Sequence, residues 1–380
     1  MVDSERLKIV TSASLVVVKV GTRVLSREDG TLNLDQVKHL ADQITSLRDM
    51  GKKVVLVSSG AVGAGVSELK LPARPTDLST LQAVAAIGQT KLIEAYDRFF
   101  KVTGTPAAQI LLTADDLDDR PRYLNVRNTL HAVLNMKAIP IVNENDSVTV
   151  EELQATFGDN DRLAALVTNL LRAPVMVILS DVDGLYDRDP RHPDSKLIPV
   201  VNRIDKDIMA LASSHNSKIS KGGMLSKLKA AKMATSAGEN VIIANGHQSD
   251  VLSRIFQGEP VGTFFAAAER SISPFKRWLG FSAQTRGRLF LDDGAVDAVA
   301  KRGRSLLPIG ITHFHGQFGK GDVITICNSD GNEIARGLTN YSSTELALIR
   351  GLKSVDIAEK LGYCPYDEVI HRDNLLVIDG

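Results

Sequence analysis

Three acidic or amide side chains crowd the start of one predicted helix. The segment 158–161 reads Gly-Asp-Asn-Asp, and the apolar residues that follow it recur at helical spacing, so Asp161 or a neighbour is expected to cap this helix. Just upstream, residues 143–146 read Asn-Glu-Asn-Asp. A cap requires only one such side chain. The two clusters together therefore favour a binding site for a small ligand with ammonium and carboxylate groups, or for a metal–nucleotide.

Two lysines occupy positions where a cation could meet a phosphate. Lys19 lies in an apolar, β-branched run at 15–20 that predicts a strand buried in a parallel sheet. Ligands of such sheets bind outside the carboxyl ends of the strands. Lys227 lies near the start of another predicted helix, where a cation opposes the helix dipole. A bound phosphate would explain both lysines, and a solvated side chain is the alternative for each.

A glycine-rich segment follows the second predicted strand at 54–57. Residues 58–65 read Ser-Ser-Gly-Ala-Val-Gly-Ala-Gly. Small residues let backbone N–H groups approach a phosphate or carboxylate, but they also serve tight strand-to-helix turns, and both interpretations stay open. The spacing is neither the GxGxxG of a dinucleotide-binding fold nor a Walker A P-loop, so a dehydrogenase of that type is excluded.

The elements that would position these residues follow an alternating order. Predicted strands at 109–112, 139–142, 175–179 and 241–244 are separated mostly by helical patterns, which predicts an α/β three-layer sandwich with a mostly parallel central sheet. Beyond 267–284 the predicted strands are short and turns are dense, which indicates a small, mainly-β domain. We therefore expect a first domain at 1–266, a linker at 267–284 and a second domain at 285–375.

The composition narrows the function classes. The 380 residues contain 45 Lys and Arg and 45 Asp and Glu, and residues 285–375 contain 11 and 12 of these respectively, so the charge gives no support for nucleic-acid binding. A local basic patch at Lys301, Arg302 and Arg304 leaves that possibility open. We find no signal-type segment and no apolar run long enough to span a bilayer, so a cytoplasmic protein with no membrane partner is expected.

The motifs occur in the order found in a known family. Residues 18–22, 58–61, 143–146, 158–161, 180–186 and 222–224 resemble the amino acid kinase family, and the pair at 143–146 and 158–161 resembles its glutamate 5-kinase branch. The region from 286 to 373 resembles a PUA domain, a small β barrel. The resemblance covers nearly the whole chain. One departure is Ser220-Lys221, which stands where the family usually has Gly-Thr and puts the nucleotide contacts in doubt.

The resemblance implies phosphoryl transfer from ATP to the side-chain carboxylate of L-glutamate, giving L-glutamyl 5-phosphate, the first step of proline biosynthesis. It implies three catalytic residues: Lys19, Lys227 and Asp161. The implied glutamate-binding residues are Ser59, Gly60, Asn143, Asp146, Asp159 and Asn160. The implied ATP-binding residues, besides both lysines, are Gly21, Ser180, Asp181, Lys221, Gly222, Gly223 and Met224. Mg²⁺ is expected on the phosphates, held by ATP oxygens and water, with no protein ligand assigned.

The resemblance also implies partners, and it leaves alternative functions open. A homo-oligomer, dimer or tetramer, and feedback inhibition by proline are expected from the family. RNA binding by the PUA-like domain is the alternative of another class. The nearest rival reaction is that of another kinase with the same fold, acting on aspartate, acetylglutamate, carbamate or a nucleoside monophosphate. The acidic and amide cluster at 143–146 favours a free amino acid with an exposed ammonium group.

Overall fold

A computed structural model describes residues 2–148, 159–213, 223–268 and 273–378. Contacts between residues divide the chain into two units. The first spans Met1–Leu117 and Pro121–Ser271, and the second spans Asp118–Arg120 and Ile272–Gly380. The helical turns at Pro274–Arg277 and Trp278–Ser282 belong to the second unit and bury Trp278, so part of the predicted linker is structured. The domain boundaries stay a prediction.

The first unit alternates strands and helices. Its strands are β1 (Leu15–Val20), β2 (Lys53–Ser58), β3 (Ala107–Leu112), β4 (Ile139–Glu144), β5 (Val175–Ser180), β6 (Val200–Val201), β7 (Asn240–Asn245) and β8 (Thr263–Phe265). Its helices are α1 (Val2–Ser12), α2 (Thr22–Leu25), α3 (Leu34–Asp49), α4 (Ala61–Glu68), α5 (Leu78–Val102), α6 (Ala114–Asp118), α7 (Arg120–Asn135), α8 (Asp159–Leu171), α9 (Lys206–Ser213), α10 (Met224–Ala237) and α11 (Val251–Phe256).

These eight strands form one sheet in the order β3-β4-β2-β1-β5-β7-β8-β6. Every neighbouring pair is parallel except β7 and β8. Val20 at the end of β1 aligns with Ser58 of β2 and Leu179 of β5. The carboxyl ends of these strands therefore meet at one edge, where parallel sheets bind ligands.

Helices cover both faces of this sheet. Val16, Val18 and Val20 of β1 share one apolar cluster with residues of α3 and α5. Helices α8 and α10 contact each other and the sheet, and none of their described residues belongs to that cluster. Since successive side chains of a strand point to opposite faces, α8 and α10 cover the other side. The predicted α/β sandwich with a mostly parallel sheet is confirmed.

The glycine-rich segment serves the junction between β2 and α4. Gly60 adopts a φ of 108° at the turn, a left-handed conformation that glycine reaches without strain. Further along, a Cβ added at Gly65 would lie 2.0 Å from the Val84 carbonyl oxygen of α5. One added at Gly88 of α5 would lie 1.8 Å from the Ala61 carbonyl oxygen. Helices α4 and α5 thus cross at backbone contact, which supports the turn-and-packing interpretation of this segment.

The second unit is built on a five-stranded sheet in the order β10-β9-β11-β12-β13, in which only β9 and β11 are parallel. Its strands are β9 (Gly287–Leu291), β10 (Ile311–His315), β11 (Val323–Cys327), β12 (Glu333–Leu338) and β13 (Leu375–Val377). Its short helices are α12 (Pro274–Arg277), α13 (Asp293–Val296), α14 (Ser343–Ile349) and α15 (Ile357–Leu361). The unit has its own apolar core, so the predicted separate, mainly-β unit is confirmed.

No helix in the described ranges combines the length and the apolar character that crossing a membrane requires.

Candidate active site

One buried carboxylate lies between two buried lysines. Lys19 Nζ of β1 is 2.6 Å from Asp161 Oδ1, and Lys227 Nζ of α10 is 3.7 Å from Asp161 Oδ2. The lysine side chains are 5% and 9% exposed, and that of Asp161 is 1% exposed. Ser226 donates a 2.7 Å hydrogen bond to Asp161 Oδ2. Three elements far apart in sequence therefore hold two cations at one point.

The electrostatics of this triad keep Asp161 ionised. Burial opposes the charged form of Asp161, but the charges of Lys19 and Lys227 and the hydrogen bonds from Lys19 and Ser226 outweigh it, so the pKa of Asp161 lies below 3.8. Burial lowers the pKa of the Lys227 ammonium below 10.5, and the neighbouring charge of Lys19 acts in the same direction. Asp161 offsets only part of that effect.

Of the expectation that Asp161 or a neighbour caps this helix, the Asp161 alternative is wrong, and the residue before the helix lies outside the described residues. Helix α8 begins at Asp159, so Asp161 is its third residue and lies inside the first turn. Its carboxylate is engaged by Lys19, Lys227 and Ser226. The physical reason is tertiary: the first turn of α8 lies against the end of β1, where the lysine offers a stronger partner than a main-chain N–H group.

A chain of amides lies beside the triad. Asn160 donates from Nδ2 to Ser59 Oγ at 2.9 Å and to Asn143 Oδ1 at 3.0 Å. Asn143 donates from Nδ2 to Gln89 Oε1 at 2.8 Å. Asn143, Asn160, Ser59 and Gln89 are all buried. The structure thus brings three of the predicted glutamate-binding residues together and adds Gln89 of α5.

The end of β5 carries the predicted nucleotide-binding pair. Ser180 Oγ donates to Asp181 Oδ1 at 3.1 Å, and Arg23 Nη1 of α2 donates to Asp181 Oδ2 at 2.9 Å. Burial opposes ionisation of Asp181, but these hydrogen bonds outweigh it, so the pKa of Asp181 lies below its ordinary value. Close by in sequence, Asp183 accepts hydrogen bonds from Asn245 and Gln248 of the neighbouring β7 region.

Gly21 and Gly223, two glycines assigned to the site, lie close to its lysines in the chain. Gly21 donates from its main chain to the Leu179 carbonyl oxygen, and an added Cβ there would lie 3.6 Å from Lys19 Nζ. Gly223 is the residue before α10, and its carbonyl oxygen accepts a hydrogen bond from Ser226. Met224 is the first residue of α10. Gly60, described above, begins the turn that follows Ser59.

Several predicted site residues are placed only in part. Asp146 lies in the turn directly after β4. Asp159 is the first residue of α8, but its side chain is outside the described part of the structure. Lys221 and Gly222 lie outside the described residues, so the effect of Ser220-Lys221 on the nucleotide contacts stays a prediction.

Sequence reasoning missed Gln89, Ser226 and Arg23. Gln89 had a weak signal, because it is polar on the inward face of α5, between Ala85 and Leu92. The signal is not specific, since Gln43 on the inward face of α3 shows the same pattern and accepts a hydrogen bond from the Leu252 main chain. Ser226 and Arg23 each sit within four residues of a predicted lysine, but only the fold shows what they contact.

Comparisons with known proteins identify the family of this chain. The model of the amino acid kinase family matches residues 14–245, and that of the PUA domain matches residues 287–361. A protein named glutamate 5-kinase from Rhodopirellula baltica is 50% identical, over 98% of this chain and 96% of the relative. A protein of the same name from Caldanaerobacter subterraneus subsp. tengcongensis is 48% identical, over 96% of this chain and 98% of the relative. Another from Geobacter sulfurreducens is 43% identical, over 98% of this chain and 100% of the relative. The chain belongs to the amino acid kinase family, among its glutamate 5-kinases, and carries a C-terminal PUA domain.

Proposed function

We propose that this chain transfers the terminal phosphoryl group of ATP to the side-chain carboxylate of L-glutamate, giving L-glutamyl 5-phosphate and ADP, the first step of proline biosynthesis. The observation that carries the proposal is the pair of buried ammonium groups of Lys19 and Lys227 on one carboxylate, Asp161, beside an amide-lined site. Phosphoryl transfer depends on alignment and on cations that neutralise the charge on the transferred group.

In this proposal Lys19 and Lys227 flank the transferred phosphoryl group, and Asp161 holds both ammonium groups in place. Asp161 is not needed as a general base. The attacking carboxylate of glutamate has an unperturbed pKa near 4.3 and is ionised at neutral pH. This agrees with the finding that the Asp161 carboxylate is already engaged by Lys19, Lys227 and Ser226.

The amide cluster is proposed to hold the amino acid part of glutamate. Asn143, Asn160 and Ser59 are buried and converge on one point, with Gly60 next to Ser59. Asp146 and Asp159 are proposed to add negative charge for the ammonium group, because a carboxylate–ammonium hydrogen bond is stronger than a neutral one. A substrate lacking the ammonium group should therefore bind poorly.

The nucleotide is proposed to lie along the end of β5 and the start of α10. Ser180, Asp181 and Gly21 are proposed to contact it from one side, and Gly223 and Met224 from the other. Lys221 and Gly222 are assigned to the nucleotide from the family resemblance alone. Mg²⁺ is proposed to enter as part of the nucleotide substrate, held by ATP oxygens and water.

The test is to trap the acyl phosphate with hydroxylamine in reactions with ATP and, side by side, glutamate, aspartate, N-acetylglutamate, carbamate and a nucleoside monophosphate. The proposal expects ATP-dependent hydroxamate from glutamate and little from the other carboxylates. ADP release driven by another acceptor would reassign the substrate while keeping the nucleotide site. Absence of product from every acceptor would contradict the proposal.

The burial of Lys227 predicts a pH dependence. Because the pKa of Lys227 is lowered, kcat/KM for ATP should fall as pH rises through a value below 10.5, where the ammonium loses its proton. Bound phosphate favours the ammonium form, so the same limb should lie at higher pH in the profile of kcat. Direct ADP quantification between pH 7 and 10.5 measures both limbs. Coincident limbs in the two profiles would contradict this role of Lys227.

The remaining partners are also proposals. Proline is proposed to compete with glutamate for its site, and inhibition that is insensitive to glutamate concentration would contradict this. A homo-oligomer formed through the first unit is proposed from the family. RNA binding by the PUA domain draws no support from the balanced charge of residues 285–375.

A further inference from the structure

The amide chain beside the triad has a direction. Gln89 Oε1 accepts from Asn143 Nδ2, and Asn143 Oδ1 accepts from Asn160 Nδ2. At its two ends, Asn160 Oδ1 and Gln89 Nε2 are buried and have no hydrogen-bond partner within the described part of the chain. Asn160 and Gln89 are only 5% and 7% exposed. One end therefore presents an unused acceptor and the other an unused donor.

Main-chain contacts identify the oxygen and the nitrogen of both asparagine amides in this chain. The amide N–H of Glu144 can only donate, and it donates to Asn143 Oδ1 at 2.9 Å. This contact identifies the oxygen of Asn143, so its nitrogen is the atom that faces Gln89. At the other end, the Ser58 carbonyl oxygen can only accept, and it lies 3.5 Å from Asn160 Nδ2. Both contacts place the Asn160 oxygen on the side that has no protein partner.

A buried acceptor without a partner costs free energy unless a ligand supplies a donor. The ammonium group of an amino acid is such a donor, and a bond from a charged group is stronger than a neutral one. We propose that Gln89 is a positioning residue for substrate specificity: by accepting from Asn143, it holds the amide chain in the direction that presents Asn160 Oδ1 to the substrate's ammonium group. This inference rests on the proposed glutamate site.

Loss of Gln89 Oε1 would release the chain. Asn143 Nδ2 would become a buried donor without an acceptor, which favours rotation of the Asn143 side chain against its one main-chain contact from Glu144. That rotation would take the Asn143 oxygen away from Asn160. Asn160 would then be held by the Ser59 hydroxyl, which can donate as well as accept, and by the long contact to Ser58. Neither contact is strong enough to keep the Asn160 oxygen towards the substrate.

The experiment compares glutamate with glutarate, which has the same two carboxylates and no ammonium group. For each variant, the ratio of kcat/KM for the two substrates is measured by ATP-dependent hydroxamate formation. Gln89→Leu should lower the glutamate-to-glutarate ratio by about 10- to 100-fold, the worth of one hydrogen bond to a charged group. Gln89→Glu keeps an acceptor for Asn143 and should hold the ratio at or above the wild-type value.

Gln43→Leu is the matched control, because Gln43 is also a buried glutamine on the inward face of a helix. Its side-chain oxygen accepts from the Leu252 main chain, and neither residue is a predicted site residue. Gln43→Leu should leave the ratio within about two-fold of wild type even if it lowers stability. A Gln89→Leu protein that loses activity on both substrates by the same factor would overturn the positioning role and leave the proposed function intact. A wild-type protein without glutamate activity would overturn the substrate assignment and this role with it.

Discussion

Replacing Lys19 or Lys227 with alanine is expected to lower kcat by roughly 150- to 900-fold, with a smaller change in KM for glutamate. The estimate corresponds to about 3–4 kcal/mol, by analogy with the removal of one preorganised donor from an oxyanion hole. Each ammonium is buried and held at Asp161, so it reaches the transferred phosphoryl group without reorganising. Removing it should therefore destabilise mainly the transition state, so that kcat falls.

The chain offers a matched control for this prediction. Lys229 lies two residues from Lys227 on α10, and its side chain is exposed. Lys229→Ala should leave kcat within about two-fold of wild type. Steady-state kinetics with both substrates varied, together with circular dichroism to confirm folding, make the comparison. Equal kcat values for Lys227→Ala and Lys229→Ala would show that burial at Asp161 does not mark a catalytic lysine.

Asp161→Asn is expected to lower the free energy of unfolding of the first unit by about 3–5 kcal/mol and to abolish most activity. The substitution removes the carboxylate that two buried ammonium groups share, and breaking a buried pair by removing one partner is costly. Burial and the charge of Lys19 lower the pKa of Lys227, and without the charge of Asp161 they favour its neutral form more strongly, so the unfolded state binds more protons than the folded state above neutral pH. The stability of the variant should therefore rise with pH from 7 to 10.

In the wild-type protein Asp161 makes stability rise with pH as well, but in a range at low pH. The pKa of Asp161 is lowered by folding, so its contribution to stability is present above pH 3.8 and is lost as pH falls through the lower folded value.

Adding Lys19→Met to Asp161→Asn removes one unpaired charge and should restore part of the stability. The exposed Asp194→Asn serves as the control, with a change below about 0.5 kcal/mol. The measurement is denaturant unfolding of the first unit at several pH values. A free energy of unfolding of Asp161→Asn that does not rise with pH would contradict the charge argument.

Much of the fold follows from local patterns. The apolar runs of β1, β2 and β5 are long enough and β-branched enough to be recognised as buried parallel strands, and glycine marked the turn after β2. Lys19 and Ser180 could be placed at a ligand-binding edge because both lie at the carboxyl ends of such strands. These are inferences about position along one element, which the sequence supplies directly.

The contacts between elements could not be predicted in the same way. Asp161 looked like a helix cap because its helix start is visible in sequence, whereas the lysine that engages it lies on a strand 142 residues earlier. Gln89 looked like one more polar residue on a helix, and only the fold brings it to Asn143. The roles of side chains in this site depend on distances across the sheet, which spacing along the chain does not encode.

The central claim is that the side-chain carboxylate of glutamate itself receives the phosphoryl group. The most direct measurement uses glutamate labelled with ¹⁸O in that carboxylate, in a reaction with ATP and hydroxylamine. Hydroxylamine attacks the acyl carbon, so the phosphate that leaves keeps the oxygen that bridged carbon and phosphorus. The account predicts inorganic phosphate carrying one ¹⁸O atom, formed together with ADP. Unlabelled phosphate, or label recovered in AMP, would contradict it.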